Sequence, residues 1–123
     1  MAADIWLNHT TPGSTSWTAT SGGISALKGL YVDIDFTDAG FDKVPYIEAS
    51  LVGRVDNWVM MLTVSEITTT SARVYIHSSY AGFDPTAAQA NANYWHVTWI
   101  AYRSGGTKLT LIPWTLTWPC DAV

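Results

Sequence analysis

At 123 residues the chain is long enough to bury a core and short enough to form a single domain. It is 48% hydrophobic and only 13% charged, which excludes an intrinsically disordered protein because apolar side chains are plentiful and charges are sparse. The net charge of -4 is mild, and the 6 basic residues are spread along the chain without a cluster, which argues against a nucleic-acid partner.

Cysteine usage and targeting signals do not indicate secretion. Cys120 is the only cysteine, so an intramolecular disulfide cannot form. Residues 1–11 lack the basic region and long apolar run of a signal peptide. No segment approaches the ~18 apolar residues of a membrane span. We therefore expect a cytoplasmic protein, or a virion component assembled in a cytoplasm, with no membrane insertion; action outside the cell stays open.

The two ends of the chain, residues 1–28 and 106–123, are apolar and strand-like. Near the start, Ile5 to Leu7 is a short apolar run, and a polar stretch that contains Pro12-Gly13 follows it. We expect both end segments to add strands to the domain or to wrap a neighbouring subunit.

Residues 30–36 predict a half-buried strand, because apolar and polar positions alternate along them. The apolar positions are Leu30, Val32, Ile34 and Phe36, and the others are Tyr31, Asp33 and Asp35. Turn residues within 37–43 end this strand. A second strand is predicted at about 44–52, with Ile47, Ala49 and Leu51 on one face and Tyr46, Glu48 and Ser50 on the other.

The middle of the chain predicts two more strands and a long loop. Residues 58–64 are apolar on both faces, which indicates burial against a core on one side and against a partner on the other. Ala72, Val74 and Ile76 alternate with polar neighbours and predict a fourth strand. In the following segment, 78–93, residues 86–92 have no apolar stripe, so we expect a mobile loop there rather than a helix.

Residues 94–103 have the strongest strand pattern of the chain. One face holds Trp95, Val97, Trp99 and Ala101, and the other holds Tyr94, His96, Thr98, Ile100 and Tyr102. We expect the first face to lie in the core and the second to be a subunit contact. A turn at 104–106 and a final strand or strand pair at 108–118 follow. Six or more strands without a convincing amphipathic helix predict an all-β antiparallel sandwich in one domain, residues 1–123, with its core in 30–103.

Catalytic and metal-binding patterns are absent from the sequence. His9, His77 and His96 lie in different segments without metal-ligand spacing, so we expect no metal site. Asp33 and Asp35 share a strand face, where calcium binding or acid–base chemistry is conceivable, but a solvated face explains them more simply. The chain also lacks a nucleophile-elbow motif and a glycine-rich phosphate loop. We therefore expect a protein that is not an enzyme and needs no cofactor.

Aromatic side chains are the strongest functional signal. The chain has 7 tryptophans and 6 tyrosines, more than a small core needs, so some should be exposed or shared between subunits. Exposed rings beside amides and hydroxyls suit sugar binding, because the apolar face of a pyranose stacks on a ring. Aromatic residues and methionine are equally enriched at protein interfaces.

In its order of strands and turns, the chain from about 30 to 103 resembles the H-type lectin domain. The resemblance rests on a strand that ends at Phe36, on Pro45 opening the strand YIEASL, on the strand VMMLTV, and on a turn leading into RVYIH. A closing strand with VTWIA at 97–101 completes it. The resemblance implies a six-stranded antiparallel β-sandwich that assembles as a homotrimer.

Relatives that bind N-acetylgalactosamine hold the sugar in a cleft between subunits. They use an arginine at the position of about Thr63, a Ser/Asp loop near 21–23, and a Trp-His pair near Ser79-Tyr80. In this sequence Tyr80 keeps an aromatic ring and Ser21 keeps a serine, whereas the arginine, the acidic residue and the histidine are missing. The resemblance therefore does not carry galactosamine specificity over to this chain.

The leading prediction is a carbohydrate-binding, lectin-like homotrimer. The predicted ligand residues are Tyr80, Asp84, Asn91, Asn93, His77 and Ser21. The predicted subunit interface comprises Val59, Met61, Thr63, Tyr94, His96 and Thr98. The alternative is a viral structural protein, a capsid-decoration or tail component, that uses the same fold as a trimerisation scaffold.

Overall fold

Two antiparallel β-sheets pack against each other, as the sequence pattern predicts. The computed structural model describes residues 4–20, 29–54, 60–78 and 85–103. Its strands are β1 (Ile5–His9), β2 (Thr18–Ala19), β3 (Gly29–Asp35), β4 (Tyr46–Val52), β5 (Met60–Ser65), β6 (Ser71–Ser78) and β7 (His96–Tyr102), with one helix, α1 (Ala87–Ala92), and a 3-10 turn at Thr37–Ala39. The all-β sandwich prediction is confirmed. The turn at 104–106 and the strand at 108–118 lie outside the described residues.

Strand pairing brings the start and the end of the described chain together. One sheet has the order β1-β7-β4, and the other has the order β2-β3-β6-β5. β1 pairs with β7 in the register Ile5↔Tyr102 to His9↔Thr98, and β4 pairs with the other edge of β7. Of the two outcomes expected for the N-terminal segment, its described part therefore adds strands to the sandwich.

The core lies between the sheets and is built from the predicted apolar faces. Leu30, Val32 and Ile34 face inward from β3, and Val97, Trp99 and Ala101 face them from β7. All of these side chains are buried. Burial of one large apolar side chain stabilises the fold by about 1.5–3 kcal/mol. A shift of one residue in register would turn these side chains outward, so their burial stabilises the observed register.

Two indole N–H groups fix the end of the sandwich where β7 begins. The Nε1 of Trp17 donates to the carbonyl oxygen of Trp95 at 3.1 Å, and the Nε1 of Trp95 donates to the carbonyl oxygen of Arg54 at 2.6 Å. Gly53 is needed beside them: its φ is +141°, and a Cβ there would lie 2.8 Å from the carbonyl oxygen of Tyr94. The turn after β4 therefore packs directly on the start of β7.

The prediction of a loop at 86–92 is wrong, because the segment forms helix α1. Thr86 and Gln89 make a reciprocal capping box: the Oγ1 of Thr86 accepts from the Gln89 backbone N–H at 3.1 Å, and the Oε1 of Gln89 accepts from the Thr86 N–H at 3.0 Å. Ala90 is fully buried and joins the helix to the core. The capping box and one buried alanine stabilise this short helix, so it forms without an apolar stripe.

The strand predicted from Tyr94 begins two residues later, at His96. Tyr94 has a φ of +59°, in the left-handed region, so it cannot continue the extended backbone. Its ring lies at the end of the sandwich, with the Arg54 guanidinium 5.6 Å from the ring centroid. The predicted alternation holds from Trp95 onward.

Candidate functional site

The sandwich has two outer faces, one on each sheet, and they differ in chemistry. The Leu7 face consists of the outward side chains of β1, β7 and β4: Ile5, Leu7, His9, Tyr46, Glu48, Ser50, Val52, His96, Thr98, Ile100 and Tyr102. The Arg73 face consists of the outward side chains of the other sheet: Thr18, Tyr31, Asp33, Asp35, Met61, Thr63, Ser65, Ser71, Arg73, Tyr75 and His77.

The Leu7 face exposes apolar surface. Its most exposed large side chains are Leu7 at 66%, Tyr46 at 56%, Val52 at 42% and Ile5 at 39%. The rings of Tyr46 and Tyr102 contact each other across the strands, with centroids 5.5 Å apart. Glu48 is the only carboxylate of the face, and the face has no lysine or arginine. An apolar sheet face with so little charge is typical of a surface that another molecule covers.

The Leu7 face also has a shape that a partner could fit. An open depression of about 490 Å³ lies over its centre and is lined by residues of all three strands. Leu7 and Ile100 contribute apolar surface to it, and His9, Glu48, Ser50 and Thr98 supply polar groups. The strand pairing sets this mixture, because Leu7 is opposite Ile100 and His9 is opposite Thr98.

The Arg73 face is held by an ion-pair network. The Nε of Arg73 donates to Asp33 Oδ1 at 2.7 Å, and its Nη2 donates to Asp33 Oδ2 at 3.1 Å. The same guanidinium lies over the Tyr31 ring, 4.1 Å from its centroid. The Oε2 of Glu66, in the turn after β5, accepts a hydrogen bond from the Tyr75 hydroxyl at 3.2 Å and lies 3.7 Å from Arg73 Nε. These side chains mostly bind each other.

The two carboxyl groups of the Arg73 face, those of Asp33 and Asp35, have lowered pKa values, which favours their ionised form. The hydrogen bond from Arg73 is the main cause that lowers the pKa of Asp33; partial burial opposes it, and the charge of Arg73 adds a smaller lowering effect. The pKa of Asp35 is lowered because its Oδ1 accepts the hydroxyl and the backbone N–H of Thr37. A general acid would need a raised pKa, so neither group is tuned for that role.

The three predicted ligand residues that the structure describes have different surroundings. His77 lies half-buried on the Arg73 face, where it is opposite Met61. The side-chain amide of Asn91 forms two hydrogen bonds within the fold. Its Oδ1 accepts from the Thr15 backbone N–H at 2.9 Å, and its Nδ2 donates to the Thr15 carbonyl oxygen at 3.0 Å. The Nδ2 of Asn93 donates to the Gln89 carbonyl oxygen at 2.9 Å. The remaining three residues, Tyr80, Asp84 and Ser21, lie outside the described residues.

The predicted interface residues divide between the two faces. His96 and Thr98 belong to the Leu7 face, and Tyr94 lies at its end. Met61 and Thr63 belong to the Arg73 face on the other sheet. Val59 lies outside the described residues. Since the outer faces of a two-layer sandwich point in opposite directions, these residues cannot form one continuous patch.

The sequence patterns missed the most exposed part of the Leu7 face. Leu7, Tyr46 and Val52 were not among the predicted interface residues, although each lies on a strand with clear alternation. The signal was present in β4, where apolar Tyr46 and Val52 share a face with polar residues. For β1 no local signal exists, because its position beside β7 follows from a pairing between distant parts of the chain.

Comparisons with known proteins find no match. No protein-family model matches the chain, and neither a curated protein nor a solved structure matches it. The likeness to H-type lectins therefore rests on the sequence pattern alone. Among the described residues, no helix is long and apolar enough to cross a membrane.

We predict that Asn91→Ala destabilises the fold. The variant leaves the Thr15 N–H and carbonyl oxygen without their partner, so we expect the free energy of unfolding to fall by about 1–3 kcal/mol in urea denaturation. Asn93→Ala is the matched control, because its bond is exposed, and it should cost less than about 1 kcal/mol. Equal stability of the Asn91→Ala variant and the wild type would contradict a structural role for Asn91.

We predict that Asp33→Asn changes stability in a pH-dependent way. At neutral pH the partly exposed ion pair should contribute about 0.2–1 kcal/mol to the free energy of unfolding. Because the folded-state pKa of Asp33 lies below its ordinary 3.8, this contribution is complete above about pH 5 and disappears as the pH falls through the lowered value.

Urea denaturation of the wild type and the variant at neutral pH and at about pH 2.5 would measure this effect. Asp42→Asn, which removes an exposed carboxylate of the loop before β4, controls for the change in net charge. A stability difference between wild type and Asp33→Asn that persists unchanged in acid would refute the assignment to the Arg73 ion pair.

Proposed function

We propose that the protein is a non-enzymatic β-sandwich module that assembles with copies of itself through the Leu7 face and, in the assembled form, binds carbohydrate. The observation that supports assembly most strongly is the exposure of Leu7, Tyr46, Val52 and Ile5 on one sheet face. A homotrimer is the form that the resemblance to H-type lectins favours.

A second copy of the chain suits the Leu7 face better than a charged partner does. The protein has a net charge of -4, so two copies repel each other over most of their surfaces. On the Leu7 face, Glu48 alone carries a formal charge, so copies can approach there at little electrostatic cost. The exposed apolar residues then provide the free energy of association, because contact removes them from water.

The carbohydrate part of the proposal rests on a row of side chains across the Arg73 face. Strand register places Thr18, Tyr31, Tyr75 and Thr63 side by side. The two tyrosine rings contact each other with centroids 5.7 Å apart, and a threonine flanks each of them. Aromatic rings beside hydroxyl groups match a sugar, whose apolar face stacks while its hydroxyls form hydrogen bonds. His77 lies one row further along.

A structural role without a ligand is the second candidate, and two observations favour it. The guanidinium of Arg73 already covers the Tyr31 ring, so that ring is not open for stacking. The amide of Asn91 is already bonded to Thr15. In this reading the chain is a capsid-decoration or tail component of a virus, and the Leu7 face joins its copies.

We predict that Leu7→Glu abolishes self-association. Light scattering should give the wild type three times the 13.5 kDa mass of one chain and should give the variant the mass of a monomer, because a buried carboxylate opposes association. Met61→Glu is the matched control, since Met61 is an exposed apolar strand residue on the opposite face. Dissociation of the Met61→Glu variant with an intact Leu7→Glu assembly would assign the interface to the Arg73 face instead.

We predict glycan binding that depends on the tyrosine row. On a glycan array the wild type should bind, Tyr75→Ser should lose binding, and Leu7→Glu should bind 10²–10⁴-fold more weakly, roughly the factor that multivalency adds. Calorimetry with a monosaccharide unit of the glycan that the array identifies should give Leu7→Glu the single-site affinity of the wild type. An assembled wild type that binds no glycan would reject the lectin proposal and favour the structural role.

A further inference from the structure

The pairing of β1 with β7 brings together two histidines that are far apart in the sequence. His9 is opposite Thr98, and His96 lies two residues before Thr98, so the two histidines are diagonal neighbours on the Leu7 face. Their ring centroids are 6.2 Å apart, with an angle of 73° between the ring planes. Neither the spacing in the sequence nor the local patterns around them predict this contact.

Each ring is held by the same kind of contact, from its Nδ1 to a backbone carbonyl oxygen. The Nδ1 of His9 is 2.8 Å from the Thr10 carbonyl oxygen, and the Nδ1 of His96 is 2.8 Å from the Tyr94 carbonyl oxygen. A carbonyl oxygen can only accept, so each Nδ1 carries a proton, and in the neutral form of each ring the Nε2 keeps its lone pair. Histidines that bind metal ions have this arrangement, with one ring nitrogen on the metal and the other bonded to a backbone carbonyl.

The separation of the rings is close to what a shared metal ion requires. Zinc binds imidazole nitrogen at about 2.0–2.1 Å, and two such ligands at a tetrahedral angle place their ring centroids roughly 5 Å apart. The rings would therefore have to approach each other by about 1 Å. His9 is exposed and His96 half-buried, so a small side-chain rotation can supply this movement without a change in the sheet. The Leu7 face has no lysine or arginine that would repel a cation.

We propose that His9 and His96 bind a divalent transition metal ion, of the zinc or copper type, through their two Nε2 atoms. Among the described residues, no three His, Cys, Asp or Glu side chains are placed to hold a metal together. The described part of the chain therefore supplies two ligands, and in a single chain the other coordination positions are left to water. Imidazole favours copper over zinc and does not select magnesium or calcium, which require oxygen ligands.

Calorimetric titration of the full chain with zinc or copper chloride tests the proposal. All proteins carry Cys120→Ser, which removes the one thiol as a competing ligand. We expect one metal ion per chain, tighter binding of copper than of zinc, and no binding of magnesium. His9→Ala and His96→Ala should each weaken binding at least about tenfold, because one imidazole remains.

His77→Ala is the control, because His77 lies on the Arg73 face, and it should leave the affinity unchanged. Nitrogen chemical shifts of the imidazoles add a direct readout: zinc should shift the Nε2 signals of His9 and His96 and leave those of His77 in place. Circular dichroism checks that each variant folds. Absence of binding by the parent chain, or equal binding by the His9→Ala/His96→Ala double variant, would overturn the proposal.

Discussion

The antiparallel pairing of β1 with β7 is the constraint on which the Leu7 face and its histidine pair depend. It makes β7 the central strand of its sheet and joins residues about ninety positions apart. The pairing continues past β1, since Thr10 exchanges hydrogen bonds with both the N–H and the carbonyl oxygen of Val97. Without β1 the Leu7 face would lose Ile5 and Leu7, and His9 would not lie beside His96. A contact between distant segments therefore creates the apolar face and the histidine pair together.

The alternation of apolar and polar residues along the strands predicted the core, because β3 and β7 have an apolar residue at every second position. It could not predict the partner of β1, since a short apolar run does not specify which strand it joins. It also missed α1, whose short-range capping box replaces an apolar stripe. The predicted interface was divided between two sheets for a related reason. A strand pattern identifies an outward face but does not say which sheet the strand belongs to.

The two outer faces perform different physical tasks in this account. On the Arg73 face, charged and aromatic side chains satisfy one another, which stabilises the sheet and leaves limited scope for a ligand. The Leu7 face has apolar side chains without a partner among the described residues, and it is nearly free of charge. The proposed oligomeric module uses this combination: the side chains of the Arg73 face bind one another, and the Leu7 face is the proposed contact between copies. The lectin and structural proposals share it and differ only in whether the tyrosine row binds sugar.

The register of β1 against β7 can be measured directly by nuclear Overhauser contacts between methyl groups. In a protein with labelled Leu, Ile and Val methyls, Leu7 should give a cross-peak with Ile100, its partner across the strands. A slip of one residue would turn Leu7 toward the core. Cross-peaks from Leu7 to inward methyls such as those of Val32 or Val97, with none to Ile100, would contradict the account.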